Sequence, residues 1–366
     1  MKSSRVTQLR NLPVRYLLMT ALIVVPFLTT AEMRAQEDEI RLDVSAADRV
    51  AATYSVSNFR YHIFPANTQA GRAALAARDF GTPITSHTNG FTRSTTVATV
   101  PSVPSPGFYG EDLVYFGGAR LMSTKSHPVY VNMASCGGTV ALCWGNPAQF
   151  LTDLSNSTFI HLTDQYVGTT TNNRYPAATS ATATVPLYVS NVVGQNDILA
   201  VVHTAAKALG TGYGHIYHVF LPKGVDTCFD LTGICYSPDN PSSFFFCAYH
   251  GSVTYGDIGH VLLSVEPYQN VPGCQAAAPN PNGMLADSTN SVLSHELIES
   301  ITDPDPASGW VSDKSLIVAG AEIGDLCEPL GNSSAQFLDP TLTLNGKKYE
   351  LQLEYGNNYH ACTPGP

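Results

Sequence analysis

The stretch SVLSHELIESITDPDP, residues 291–306, combines an apolar stripe with several ionisable side chains. Its apolar residues recur at three- and four-residue spacing, which is typical of a helix that packs one face against a sheet. Asn290 can cap the start of this helix. The two Asp-Pro pairs end it, because proline excludes helical geometry from the residue before it. The pattern predicts a helix of about three turns.

Three ionisable side chains of this helix indicate a metal site. His295 and Glu299 are four residues apart and share a face, so they can offer a nitrogen and a carboxylate to one ion. Glu296 is turned about 100° away, where it could hold a water molecule beside the ion without being a ligand. The HExxH helix of zinc hydrolases has this geometry, with a second histidine where this chain has Glu299. The alternative is a helix whose sequence matches part of the motif by chance.

A metal site needs a third ligand from elsewhere, and AGAEIGDLCEP at 319–329 is the best source. Glu322 and Asp325 are three residues apart and would share a face of any helical turn. Cys327 indicates that a disulfide anchors this segment. We expect either Glu322 or Asp325 to be the third ligand. The alternative is that both acids cap or pair at the surface.

Residues 1–35 have the composition of a secretory signal peptide. Four basic residues and no acidic ones precede an apolar run from about Leu17 to Leu28, and cleavage is expected at Ala31 or Ala35. The run is too short to span a bilayer. Removing the leader at Ala31 leaves 15 basic against 29 acidic residues. We therefore expect a secreted or periplasmic protein that binds neither nucleic acid nor, after cleavage, membranes.

Eight cysteines follow the leader, and an even number in an exported chain predicts four disulfides. A Cys-rich zinc site is the alternative, but the chain has no C-x-x-C pair. Pairing by proximity gives the following bridges: Cys136 with Cys143, Cys228 with Cys235, Cys247 with Cys274, and Cys327 with Cys362.

The remaining pattern predicts a mixed α/β (α+β) fold in which the HELIE helix packs on a mixed sheet, in a zincin-like arrangement. Helices are expected from Pro147, with Asn146 as cap, and at 196–210. Strands are expected at 128–134 and, three in a row, in YGHIYHVFLP, SSFFFCAYHG and GHVLLSVEPY. Residues 36–110 are interpreted as an N-terminal extension that is a pro-segment, a linker or edge strands, with RYHIF as a possible strand, before a domain at 111–366.

The C-terminal motifs also resemble a known family. SHELIESITDP, the following GW and then EIGDLC are similar to the C-terminal block of the phosphate-induced/exordium family of secreted plant proteins and their bacterial and fungal relatives. DTCFDLTGICY, FCAYHG and EPYQNVPGC extend the resemblance, which covers about residues 110–363. It implies an extracellular protein with a zincin-like helix. The family pattern points to His295, Glu296, Glu299, Glu322, Asp325 and Cys327.

Two functions from different classes follow. The first is a secreted Zn²⁺-dependent hydrolase, most simply a peptidase, that acts on a peptide or protein substrate with Glu296 as general base. Ca²⁺ or Mn²⁺ are alternative ions because one nitrogen with two carboxylates is an oxygen-rich set. His250, expected at a strand end, could donate to a transition-state oxyanion or to a carboxylate behind the metal. The second is a non-catalytic binding or signalling protein with a structural metal or polar cluster.

Overall fold

The computed structural model describes residues 39–54, 56–71, 112–188, 191–229, 233–312, 321–328 and 339–366. The described residues between 39 and 366 form one compact unit. The predicted signal peptide lies outside the described residues. In the part of the chain that is described, no helix is long and apolar enough to cross a membrane.

Six α-helices can be assigned in the described ranges. They are α1 (Ala46–Tyr54), α2 (Val140–Trp144), α3 (Pro147–Ser155), α4 (Asp164–Val167), α5 (Gln195–Leu209) and α6 (Met284–Thr302).

The strands are β1 (Glu39–Leu42), β2 (Val56–Pro65), β3 (Val114–Tyr115), β4 (Lys125–Val131), β5 (Ser180–Ala183), β6 (Val192–Gly194), β7 (His215–Phe220), β8 (Asp226–Cys228), β9 (Cys235–Tyr236), β10 (Phe246–Tyr255), β11 (Gly259–Glu266), β12 (Trp310–Val311), β13 (Thr341–Leu344), β14 (Lys347–Glu350), β15 (Glu354–Gly356) and β16 (Ala361–Thr363).

A seven-stranded sheet organises the protein, in the order β1-β5-β4-β7-β11-β10-β2. The first five strands run parallel to one another. β10 is antiparallel to both of its neighbours, β11 and β2. The predicted mixed α/β class is confirmed, and the three strands expected in a row are β7, β10 and β11 of this one sheet. The zincin-like arrangement stays a prediction.

Each face of the sheet carries its own apolar core, because side chains alternate between the two faces along a strand. In β7, Tyr217 and Val219 pack in the core that contains α5. Ile216 and Phe220 pack in the other core, which contains α6 and α3. The sheet is therefore the middle of three layers, and α6 lies on one side of it.

Helix α6 is longer than the sequence pattern predicted. It has 19 residues and begins after Gly283, so the predicted start at Asn290 is wrong; it ends before Asp303, where the Asp-Pro pairs were expected to end it. The polar residues before the apolar stripe are buried rather than in a loop. Asp287, for example, accepts hydrogen bonds from the backbone and side chain of Asn282. These polar residues thus find hydrogen-bond partners outside the apolar stripe, although their local sequence is typical of a turn.

The segment from residue 36 to residue 110, interpreted as an extension, contributes to the sheet where it is described. β1 pairs with β5 at one edge, and β2 pairs along its length with β10 at the other. The described part of this segment therefore belongs to the same compact unit as the later residues.

All four predicted disulfides are confirmed: Cys136–Cys143, Cys228–Cys235, Cys247–Cys274 and Cys327–Cys362. Four bridges are typical of an oxidising, extracytoplasmic compartment. The last bridge joins the segment after α6 to the C-terminal strand β16.

A buried histidine in β4 makes stability depend on pH. His127 Nδ1 lies 3.0 Å from the carbonyl oxygen of Thr179, so Nδ1 carries the proton, and Nε2 can accept from His215 Nδ1 at 3.0 Å. Burial lowers the pKa of His127 from 6.5 to about 4. The neutral ring therefore contributes stability that is fully present above pH 6.5 and is lost as the pH falls toward 4.

We expect His127→Gln, which cannot titrate, to reduce this acid-dependent loss. Urea unfolding of both proteins at pH 7 and pH 4.5 should show a free energy of unfolding that falls less in the variant, by up to about 3 kcal/mol. An equal loss of unfolding free energy in the two proteins would contradict the lowered pKa of His127.

Candidate metal centre

The two ligands expected from α6 converge. His295 Nε2 lies 3.1 Å from Glu299 Oε1, one helical turn away, and both side chains are fully buried. The helix presents this pair to the sheet and to the segment 321–328. A histidine and a carboxylate in this position can hold an ion together.

The predicted carboxylate segment approaches the same place. Asp325 begins a 3₁₀ turn, and its Oδ2 accepts a hydrogen bond from the backbone N–H of Glu322 at 2.7 Å. The potential ligand atoms of Asp325 and His295 lie within 4.8 Å of each other and of Glu328. The structure therefore brings Asp325 to the helix pair.

Three contacts hold the segment 321–328 against its surroundings. Gln352 Nε2 donates to the carbonyl oxygen of Gly324 at 2.7 Å, and the backbone N–H of Tyr355 donates to Ile323 at 3.1 Å. The Cys327–Cys362 disulfide adds a covalent restraint. These contacts restrain the chain on both sides of Asp325 in the sequence.

Strand β2 supplies a histidine that the sequence analysis did not single out. His62 Nε2 lies 2.7 Å from Asp325 Oδ2, and its Nδ1 lies 3.4 Å from Glu322 Oε1. His62 pairs directly with His250 of β10 across the antiparallel ladder. Paired residues point to the same face of a sheet, so both rings face α6. No local signal marks His62, because its importance comes from this register.

His250 lies inside β10 rather than at the expected strand end. Its Nδ1 is 3.2 Å from Glu296 Oε2 and 3.5 Å from Glu299 Oε2. Its Nε2 lies 3.3 Å from the carbonyl oxygen of Asp303. A carbonyl only accepts, so Nε2 carries the proton and Nδ1 of the neutral ring accepts from Glu296.

The protonation directions agree with this arrangement. Burial lowers the pKa of His250, which keeps the ring neutral. Burial also raises the pKa of Glu296 well above its ordinary value, and the neighbouring carboxylates of Glu266 and Glu299 raise it further. Glu296 can therefore hold a proton and donate it to His250.

The other carboxylates are unequal. Burial, with repulsion from Asp303 and Glu299, raises the pKa of Glu322 well above its ordinary value. Burial would also raise the pKa of Glu299, but the facing rings of His295 and His250 lower it overall. Buried carboxylates that repel one another are stabilised either by protons or by a bound cation.

Seven described residues form three overlapping groups of three. Within each group, the potential ligand atoms lie within 4.8 Å of one another. The groups are His62, Glu299 and Asp325; His250, Glu296 and Glu299; and His295, Asp325 and Glu328. Of the predicted ligands, His295, Glu299 and Asp325 belong to these groups. Glu322 does not, but its Oε2 lies 3.5 Å from His250 Nε2. Glu328 was not predicted.

The donor set fits a metal ion. Ligand atoms about 2.0–2.2 Å from one ion lie about 3–3.5 Å apart, because tetrahedral or octahedral angles separate them. Five of the histidine-to-carboxylate separations in this centre, from 3.1 to 3.5 Å, lie in that range, and the sixth, between His62 and Asp325, is shorter at 2.7 Å. The buried histidines and acids could therefore hold an ion without a large rearrangement.

Other histidines lie outside the groups. His218 occupies the same row of the sheet as His250, beyond Ser264, and its Nδ1 lies 2.8 Å from Ser264 Oγ. His215 instead contacts His127. Neither belongs to a metal-binding group among the described residues.

Comparison of the chain with protein-family models, with curated proteins and with solved structures finds no match. The resemblance to the phosphate-induced/exordium family therefore stays a prediction. The interpretation of the centre depends on its own geometry.

Gly324 offers a direct test of that geometry. A β-carbon at this position would lie 2.3 Å from His295 Nδ1, so Gly324→Ala must displace either the histidine ring or the carboxylate segment. We expect metal affinity, measured by competition with a chromogenic chelator, to fall about 10- to 100-fold, as for other changes that misplace ligands.

Gly214→Ala is the matched control, because a β-carbon there meets nothing within 4 Å. It should leave metal affinity unchanged. Equal affinities for both variants and the wild type would show that His295 and the segment 321–328 do not hold the metal.

Proposed function

We propose that the protein is an exported, metal-dependent hydrolase that cleaves peptide bonds. The observation that carries this proposal is the position of Glu296. Its carboxyl group lies beside the His295–Glu299 pair, on a different side of α6, and hydrogen-bonds to His250. A helix that offers two ligands and an adjacent proton-carrying carboxyl group is the arrangement that metallohydrolases use.

Each residue then has a separate task. His295, Glu299 and Asp325 would hold the ion, which when bound supplies Lewis-acid polarisation of a carbonyl group. His250, with Nε2–H bonded to the Asp303 carbonyl oxygen, would fix the position of Glu296 and accept on Nδ1 the proton that Glu296 carries at rest. The ionised Glu296 would then take a proton from the attacking water and give that proton to the leaving amine, and the first proton would return from His250 to Glu296.

Zn²⁺ is the proposed ion, with Ca²⁺ and Mn²⁺ as alternatives. His62 supports the choice of Zn²⁺, because it offers an imidazole within reach of Glu299 and Asp325, and imidazole is a common zinc ligand. The four disulfides support an exported location.

The burial of the centre favours a second candidate function. His250, His295, Glu296, Glu299, Glu322 and Asp325 are all 0% exposed. Structural metal sites are closed, whereas catalytic sites keep an accessible ligand position. In this case the ion would fasten the segment 321–328 to α6 and β2 in an exported binding or signalling protein.

Glu296→Gln separates the two functions. Glutamine has nearly the same shape but cannot accept a proton as a base, so turnover of a broad fluorogenic peptide library should fall about 10²- to 10⁴-fold. Bound metal, measured by elemental analysis, and melting temperature should change little. Glu299→Gln should lower both metal content and turnover, because it alters a ligand.

Glu350→Gln serves as the control, since Glu350 is also buried but bonds to Thr341 away from the centre. Its turnover should match that of the wild type. If the metal-loaded wild type cleaves no peptide in the library, and Glu296→Gln binds metal as the wild type does, the structural role replaces the hydrolase.

A further inference from the structure

Glu299 approaches two histidines that belong to different groups. Its Oε1 lies 3.1 Å from His295 Nε2, and Glu299 also forms a group with His62 and Asp325, with ligand atoms within 4.8 Å of one another. A carboxylate that reaches two different histidines is suited to bridge two ions rather than to chelate one. Two-metal sites hold their ions about 3.5–4 Å apart by such bridges.

Asp325 is divided in the same way. Its Oδ2 accepts from the backbone of Glu322 and lies 2.7 Å from His62 Nε2, whereas its buried Oδ1 has no hydrogen-bond partner. Asp325 belongs both to the group with His62 and Glu299 and to the group with His295 and Glu328. It therefore connects two groups that have different histidines.

The third group does not contain Asp325, so an ion there would lack this bridge to the His295 group. Its histidine, His250, contacts Glu296 with one ring nitrogen and the Asp303 carbonyl oxygen with the other. His295 differs, because it is fully buried and its Nδ1 has no hydrogen-bond partner.

Burial of the carboxylates also favours a bound cation. Five carboxylates lie in this centre, and none is more than 3% exposed. The ion pairs that Glu296, Glu299 and Glu322 make in the described ranges are with histidines, not with lysine or arginine. Burying a carboxylate in its ionised form is costly unless a cation lies beside it.

We propose that the centre binds two divalent metal ions, bridged by Glu299 and Asp325. His295 and Glu328 complete the first position, and His62 completes the second. Glu296 and His250 lie beside the pair and remain free to exchange a proton. The inference rests on the metal binding of the proposed function but not on hydrolysis.

The test is the number of ions held by the full, oxidised chain. After loading with Zn²⁺ and removal of excess, elemental analysis and native mass spectrometry should give two ions per wild-type chain. His62→Gln should hold one. Glu296→Gln should still hold two. Loading with Mn²⁺ instead should give the exchange-coupled electron paramagnetic resonance spectrum of two close ions.

His218→Gln is the control, because His218 is a buried histidine in the same row of the sheet but outside the groups. It should keep two ions. One ion in the wild type, or an uncoupled Mn²⁺ spectrum, overturns the two-ion centre while leaving a one-ion hydrolase intact. Loss of an ion in Glu296→Gln but not in His62→Gln overturns the proposed placement. If the wild type binds two ions but cleaves no peptide, the proposed hydrolase activity is wrong and the two-ion centre stands.

Discussion

The burial of several carboxylates between α6 and the sheet is the constraint on which the rest of the centre depends. An ionised group moved from water into a protein interior costs several kcal/mol unless it is paired. Glu296 and Glu322 respond with a pKa raised well above the ordinary value, chiefly through burial. Glu299 instead has a lowered pKa, because histidines face it. The centre is therefore a mixture of protons, charges and imidazole rings that a cation would reorganise.

The surrounding structure is built to keep these groups together despite their repulsion. β2 and β10 fix two histidines side by side through the sheet register. The Cys327–Cys362 disulfide and the bond from Gln352 to Gly324 hold the opposing segment. Gly324 lies so close to the His295 ring that no β-carbon fits. A site held from three directions is preorganised, which favours tight metal binding whether or not the metal does chemistry.

The hydrolase and the alternative, a structural metal site that fastens the segment 321–328 to α6 and β2, use the same ligands. They differ in what Glu296 does. In a hydrolase, the Glu296–His250 pair passes protons near an activated carbonyl group. In a structural metal site, the same pair only completes the hydrogen bonding of a closed interior. A two-ion centre is compatible with both, because it assigns Glu299 and Asp325 as bridges and leaves Glu296 outside the ligands.

The sequence alone determined the features that depend on local spacing. The 295–299 pair follows from the helical period, the α3 cap from Asn146 and Pro147, and the four disulfides from proximity in an exported chain. The tertiary structure decided the rest. His62 reaches the centre only through the pairing of β2 with β10, nearly 190 residues later in the chain. Glu328 joins it from a separate segment, which the Cys327–Cys362 disulfide ties to the C-terminal strand β16. The spacing within one segment does not show which distant strand it pairs with, because that depends on which distant surfaces pack together.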